Sequence, residues 1–484
     1  MTRVLEFIVA VIIVFILAVI VGAFLPSHAH IERSIEISHN PRHIYDVLNN
    51  FRRFQDYVGG NLQSQDPNVK FALSGPAYGP GATISWTGNP NTIGDGKLVN
   101  KSGNIEITNQ STVTWDLSND WHGKNKTFTL QVTPRQGQRV STVTWSYDVD
   151  YGWNLIGRYS QLWIHGDPAS MIQYGLDSLQ TMLAGIPNVD YGNINPGLYR
   201  TAATPVLLVS TKAPRTLDDI DTAKLAAIKQ VQQAMGKLGV KAAGPITYIA
   251  TEYGDTTYIF DVAIPINTTT ITIDGQSHDL TQLPPPPTAE ELAAKPASSA
   301  SAASASSAAS SSSVASAGSA GQPASASSAG GESGPVPGAL DKKNQLIVND
   351  NVRAMMMPAQ EVLEANWTGE AGVPLMRLAL QAYAGTHGYD FDASADRIYS
   401  ELASLPTVAD QDQLYRVFLP VKNAPTQTPE QATGQTKPLT ALDPSLWNGN
   451  APPASSSKKS ESGNKKHEAR KKPEHHKARR HHRR

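Results

Sequence analysis

There is no cysteine among the 484 residues. That absence excludes disulfides, thiolate metal sites, a cysteine nucleophile and a lipid-modified N-terminal cysteine, and it leaves the redox compartment unreadable. Net charge is also scarce, at −1, but its distribution is uneven. The segment Lys458 to Arg484 holds twelve Lys or Arg against three Glu, a surplus of nine, so the rest of the chain carries about −10. An acidic body therefore ends in a basic tail. No helix-turn-helix or other DNA-reading unit is recognisable, so no sequence-specific nucleic-acid partner is expected. Nor does any His, Asp or Glu cluster have metal-ligand spacing. His475-His476 and His481-His482 lie in a tail without apolar periodicity, where no third ligand is fixed. No metal, cofactor or catalytic set is assigned.

Phe7 to Leu25 runs without a charged or strongly polar residue, close to the ~20 residues that cross a bilayer core as a helix. A cleaved signal peptide is the competing reading, with Ser27-His28-Ala29 as a small-x-small site, but the run exceeds the usual signal length. Residues 1–28 are read as a retained single-pass anchor. Arg3 on one flank and Arg33 and Arg42 on the other leave orientation open by charge. The short leading segment favours an inner-membrane anchor with a periplasmic body over a cytoplasmic one.

Residues 29–191 begin with an alternating strand (Ile31, Ile35, Ile37) and a helix opened by Pro41. Short alternating runs follow from Thr83 to Asp150. Phe128, Leu130 and Val132 share one face, as do Val143, Trp145, Tyr147 and Val149, as in antiparallel strands covering a core on one side. Pro168 to Leu183 closes the segment as an amphipathic helix carrying Met171, Ile172, Leu176, Leu179 and Leu183.

With Ile31 to Ile37, the helix entry Pro41 to Leu48, Phe51, Phe54 and Gly79-Pro80-Gly81-Ala82 before Trp86, this order resembles the START-like or polyketide cyclase (SRPBCC) superfamily. The resemblance implies a helix-grip domain around an apolar cavity. Trp86, Trp115, Trp145 and Tyr147 are the expected walls for a hydrophobic or amphiphilic ligand. A cyclase acting in that cavity is the alternative function. It would need a positioned acid or base, for which His122, Asp116, Asp148, Asp150 and His165 are candidates, each more simply a turn or solvent-face residue.

From Tyr199 the pattern becomes strand (Pro205 to Ser210), helix (Leu217 to Leu238) and two strands (Ile246 to Thr251, Thr257 to Ile266). After the Ser/Ala tract it recurs: a strand at Leu346 to Met357, a helix at Gly372 to His387, a short helix from about Ser394 to Leu402, and a strand at Gln413 to Val421. Tyr258 to Ile266 and Tyr415 to Val421 share an aromatic, alternating apolar, Pro, apolar ending. The repeat predicts two halves, 199–283 and 343–422, of one duplicated strand-helix-strand-strand module, split by a disordered Pro/Ser/Ala-rich insertion at 284–342. Residues 423–484 are read as a disordered tail, basic from 458, able to touch an anionic surface.

Gly244-Pro245-Ile246-Thr247-Tyr248, Phe260 to Pro265, Trp367-Thr368-Gly369, Tyr383 to Gly388, Ile398-Tyr399 and Tyr415 to Val421 resemble the GyrI-like effector-binding domain, also called the bacterial transcription activator effector-binding domain. That resemblance implies a small-molecule site between the halves, with Asp261, Trp367, Tyr415 and Arg416 as candidate ligand contacts. Members that bind cations commonly carry Glu where this chain has Arg416; Asp261 and Glu364 are the carboxylates able to substitute. The resulting fold class is α+β. The expected function is a membrane-anchored binder or sensor of a hydrophobic or amphiphilic small molecule at the cell envelope.

Overall fold

The computed structural model describes residues 2–135, 140–163, 167–285, 335–391, 399–403 and 412–424. The bulk of the Ser/Ala insertion, the basic tail and His165 lie outside them. Helix α1 (Thr2–Phe24) is the one helix among the described residues long and apolar enough to cross a membrane. It leads through three residues into β1 (His28–Ile37). Asn40 then caps α2 (Pro41–Leu48), its side chain accepting from the Arg42 amide at 2.9 Å with Pro41 in the first turn.

A π-turn at Gln55–Gly59 and α3 (Gly60–Gln65) precede a meander of β2 (Lys70–Ser74), β3 (Thr83–Thr87), β4 (Gly96–Asn104), β5 (Ser111–Asn119), β6 (Lys124–Pro134) and β7 (Ser141–Asp150). Helices α4 (Leu155–Tyr159) and α5 (Asp167–Ala184) follow. The seven strands form one antiparallel sheet in the order β1-β7-β6-β5-β4-β3-β2. This is the strand, helix, meander, long helix order that the alternation predicts. Its core is aromatic: Trp115, Trp145, Phe128 and Tyr147 are fully buried beside Phe51, Phe54 and Tyr57. Trp145 fills the space between β7 and α5, for a Cβ on Gly175 would lie 2.6 Å from its ring.

The second sheet has nine strands. They are β8 (Gly197–Arg200), β9 (Thr204–Pro214), β10 (Thr247–Tyr253), β11 (Thr257–Pro265), β14 (Leu346–Ile347), β15 (Val352–Met357), β16 (Glu361–Thr368), β17 (Tyr399–Leu402) and β18 (Leu414–Pro420), with β12 (Thr270–Ile273) and β13 (Gln276–Asp279) as a separate hairpin. Two helices pack on one face, α6 (Leu217–Leu238) and α7 (Val373–His387), each ended by a left-handed glycine, Gly239 and Gly388. The sheet order is β14-β15-β9-β11-β10-β17-β18-β16-β8. Within it, β9-β11-β10 and β16-β18-β17 run in opposite order and meet where β10 pairs with β17.

Four points in this part need correction. The strand expected at 346–357 is two strands folded back on each other, β14 pairing with β15. The strand that opens the second run is β16, which the sequence reading passed over. Tyr399–Leu402, expected in a short helix, is a strand, because it supplies the pairing edges for β10 and β18; cross-strand pairing outweighs the local helical pattern. Residues 335–342, placed in the insertion, belong to the fold: Gly338 donates its amide to the Ile347 carbonyl at 2.8 Å.

The ends of the excursion are closed on each other, since the Asn344 side-chain amide donates to the Pro285 carbonyl at 2.8 Å. Loop closure costs little more as length grows, roughly 0.6 kcal/mol per doubling. Replacing residues 287–333 with a short Gly/Ser linker is thus expected to shift the melting temperature by no more than a few degrees in a thermal scan. Separate expression of the two sides of the tract should give insoluble fragments, because β15 and β9 belong to one sheet. In the first sheet, Gly175→Ala should cost about 1–3 kcal/mol by forcing Trp145 out of place, measured by denaturant unfolding.

Candidate functional site

A cavity of about 170 Å³ opens between α6 and α7 on the helix-covered face of the second sheet. From α6 come Leu217, Ile220 and Lys224, at helical spacing; from α7 and the turn before it come Glu370, Val373 and Arg377. Tyr248 of β10, Tyr258 of β11, Ser400 of β17 and Tyr415 of β18 form the floor, and Arg215 stands at the rim. Both sequence runs therefore contribute.

Two of its cations are buried, Lys224 at 8% and Arg377 at 6% exposure. Lys224 forms an ion pair with Glu370 and lies over the Tyr248 ring, 4.4 Å from its centroid. Tyr415 donates its hydroxyl to Gln413 Oε1 at 2.8 Å, and the same oxygen lies 3.3 Å from Glu370 Oε2. Arg377 Nη1 donates to the Tyr258 hydroxyl at 3.2 Å. Among the described residues the lining thus carries Arg215, Lys224 and Arg377 against the carboxylate of Glu370, a surplus of positive charge among aromatic walls. Such a lining can receive a polar group beside its cationic side chains and an apolar group on Tyr248, Ile220 and Val373.

The residues singled out from sequence divide among three places. Tyr415 lines the cavity, and Trp367 pairs with it across β16 and β18 on the same face, packed so closely on Gly372 that a Cβ added there would meet the indole. Asp261 and Arg416 fall on the opposite face, because side chains alternate along each strand. Arg416 forms an ion pair with Glu401 of β17 there, inside a groove of about 330 Å³ that also includes Glu364, Tyr399 and Phe418. Burial raises the carboxyl pKa values of both Glu364 and Glu401, partly offset by Arg416.

Trp86, Trp115, Trp145 and Tyr147 are core residues of the first sheet, Trp115 and Trp145 meeting edge to face at 5.5 Å. Among the described acid and base candidates of that domain, His122, Asp116, Asp148 and Asp150, no hydrogen bond joins one to another. Asp116 pairs with Lys101, Asp148 with His30 at 2.7 Å, and His122 is exposed; Asp116 and Asp148 alternate with Trp115 and Tyr147 and so face outward.

Lys224, Glu370 and Arg377 were missed. A signal existed, since Lys224 continues the apolar stripe Leu217, Ile220, Ala227, Val231, and Arg377 sits one turn after Val373 beside Met376 and Leu380.

A second polar cluster joins the two sheets. Tyr191 donates its hydroxyl to Asp46 at 2.7 Å, lies 2.8 Å from the Thr386 hydroxyl and stacks on His43 with ring centres 4.5 Å apart. His43 and His39 approach at 3.0 Å. Burial lowers the pKa of His39 to about 4, and burial together with His39 lowers that of His43 to about 3. Asp46 is raised by burial, with His387 and its Tyr191 bond pulling the other way.

No family model and no curated protein matches this chain. Among solved structures it is similar to norcoclaurine synthase of Thalictrum flavum, at 14% identity over 34% of this chain and 92% of that one, with a TM-score of 0.26. It is also similar to a Nitrosospira multiformis protein (14%, 32% and 94%, TM-score 0.23) and to XoxI of Bacillus cereus (16%, 32% and 96%, TM-score 0.22).

The histidine shifts give a pH dependence. The unfolded chain takes up protons near pH 6.5, whereas folded His39 and His43 resist until about pH 4 and 3. The unfolded state then binds more protons, so stability falls as pH drops below 6.5; Asp46, raised in the fold, opposes part of the loss. Melting temperatures between pH 7.5 and 4.5 should decline, and His39→Gln should flatten that decline.

Proposed function

We propose that this protein is a membrane-anchored binder or sensor of a small amphiphile, with α1 as a single-pass inner-membrane anchor and both sheet domains on the periplasmic side. In this reading the first domain is of the START-like helix-grip type, and β9 to β11 and β16 to β18 are the halves of a GyrI-like effector module. The order β9-β11-β10 against β18-β16 beside β17 supports the pairing of halves, since the two runs meet through β10 and β17.

The single observation that carries the reading is the cavity closed jointly by α6 and α7, with a net positive lining on an aromatic floor. The family's usual cation route is replaced here, because Arg416 occupies the carboxylate position and is engaged by Glu401 on the other face of the sheet. An anionic or polar-headed amphiphile fits this site better than a cationic one. Contact of the basic segment 458–484 with an anionic surface belongs to the same proposal.

The test compares two naphthalene probes of similar size and opposite charge, naphthalene-2-sulfonate and a naphthylmethyl trimethylammonium, titrated calorimetrically into the full chain in lipid nanodiscs. The sulfonate should bind and the ammonium should not. Arg377→Gln is expected to weaken sulfonate binding about tenfold, roughly 1.4 kcal/mol, while Arg416→Gln on the opposite face leaves it unchanged. Equal binding of both probes, or indifference to Arg377→Gln, would refute the assignment.

A further inference from the structure

The apolar stretch from Phe7 to Leu25 is about 28 Å long at 1.5 Å per residue, close to the ~30 Å of a bilayer core. Helix α4 does not stand clear of that stretch. Tyr159 donates its hydroxyl to the Ala18 carbonyl at 2.5 Å. Beside it, a Cβ on Gly22 would lie 3.2 Å from the Tyr159 ring and 3.4 Å from Leu155. Ala18 precedes Leu25 by seven residues, so its carbonyl lies about 10 Å inside the end of the apolar stretch. A helix held there rests at the depth where interfacial helices bury their apolar faces, about 5–10 Å into the boundary of headgroups and acyl chains.

The attachment is rigid. Arg158, 7% exposed, donates Nη1 to the carbonyls of Ala23 and Leu25, both at 3.0 Å, and Nη2 to Gly152 at 2.6 Å. It thereby satisfies C-terminal carbonyls of α1 that have no helical partner, and places its charge at the negative pole of the helix. The Tyr151 and Gly152 amides both donate to Ser27, which leaves only three residues between α1 and β1 and no free tether. Two large apolar side chains stand exposed beside this clamp. Trp153 is 90% exposed, more than any other large apolar side chain among the described residues, and Leu162 is 59% exposed. A tryptophan beside an arginine, with ring centre and guanidinium carbon 5.6 Å apart, suits the membrane interface.

We propose that residues 151–162 are a second membrane contact, in which Trp153, Leu155, Tyr159 and Leu162 enter the leaflet that α1 leaves, so that the first domain rests on the bilayer surface. This rests on the reading of α1 as a membrane span. The absence of native cysteine makes the test direct. Trp153→Cys, Leu162→Cys, Ile13→Cys in α1 and Leu73→Cys on the exposed β2 strand each receive an environment-sensitive fluorophore. The full chain is then placed in nanodiscs of phosphatidylcholine and phosphatidylglycerol, open to solvent on both faces.

Labels at 153 and 162 should be quenched several-fold less by iodide than the label at 73, and several-fold more by lipids carrying a nitroxide near the headgroup. Iodide quenching at 153 and 162 equal to that at 73, with the label at 13 still protected, would overturn the contact while leaving the span intact. Exposure of the label at 13 as well would overturn the span, and the contact with it.

Discussion

Helix α7 is the constraint on which both domains depend. Val373, Met376, Leu380 and Ala384 face the second core, whereas Ala379 and Ala382 lie in the core of the first sheet, and Tyr383 packs against both. A helix buried on two sides needs apolar or small residues almost all round, which is what Val373–His387 provides. Its C-terminal end is then fixed by polar bonds. Asn50 donates to the Thr386 carbonyl at 3.1 Å, Arg52 to the Gly388 carbonyl at 2.8 Å, and Tyr191 bridges Asp46 and Thr386. Asn50, Tyr191 and Thr386 are buried, so a bond of theirs left unmade would cost about 1–3 kcal/mol, and these bonds hold the two sheets together.

That lock positions the cavity. The N-terminal turns of α7 carry Arg377 and follow Glu370, while its C-terminal turns hold the first domain. The placement of Arg377 over Tyr258 is therefore coupled through one rigid helix to the contact with α2. Burying Lys224 and Glu370 together costs less than burying either alone, because the ion pair and the Tyr415 hydroxyl replace the lost water. Arg377 meanwhile donates to the Tyr258 hydroxyl on the same floor, so the lining places two buried cations beside aromatic rings. On the other sheet face, Arg416 and Glu401 form a separate pair, so the sheet has two chemically distinct surfaces.

Much of the fold was legible in local patterns. The alternation of Val143, Trp145, Tyr147 and Val149, the Pro41 helix start and the glycines after α6 and α7 act within a few residues, and each feature appears where the pattern places it. Less of the site could be read. Tyr415 stands in the shared ending of the two runs and Trp367 entered through the family resemblance, as did Asp261 and Arg416, none of which says which sheet face a side chain occupies. Two residues adjacent in sequence, Tyr415 and Arg416, lie on opposite faces, and only the pairing register says which face the helices cover. Strand β17 was misread for a related reason. Four residues carry too little periodicity to outweigh a helical neighbourhood, and their state is set by β10 and β18 on either side.

By itself the sequence determined the apolar span, the two α+β units, the acidic body with its basic end and the lack of thiol chemistry. These follow from composition and from periods of two and 3.6, which are properties of the chain alone. The tertiary structure decided what no period encodes: that α7 belongs to both cores, that Lys224 is brought to Glu370 from 146 residues away, and that α4 grips α1 through Arg158. Each is a contact across many tens of residues or more, made when burial of apolar surface brings separate elements together, and its partners carry no mark in the local sequence.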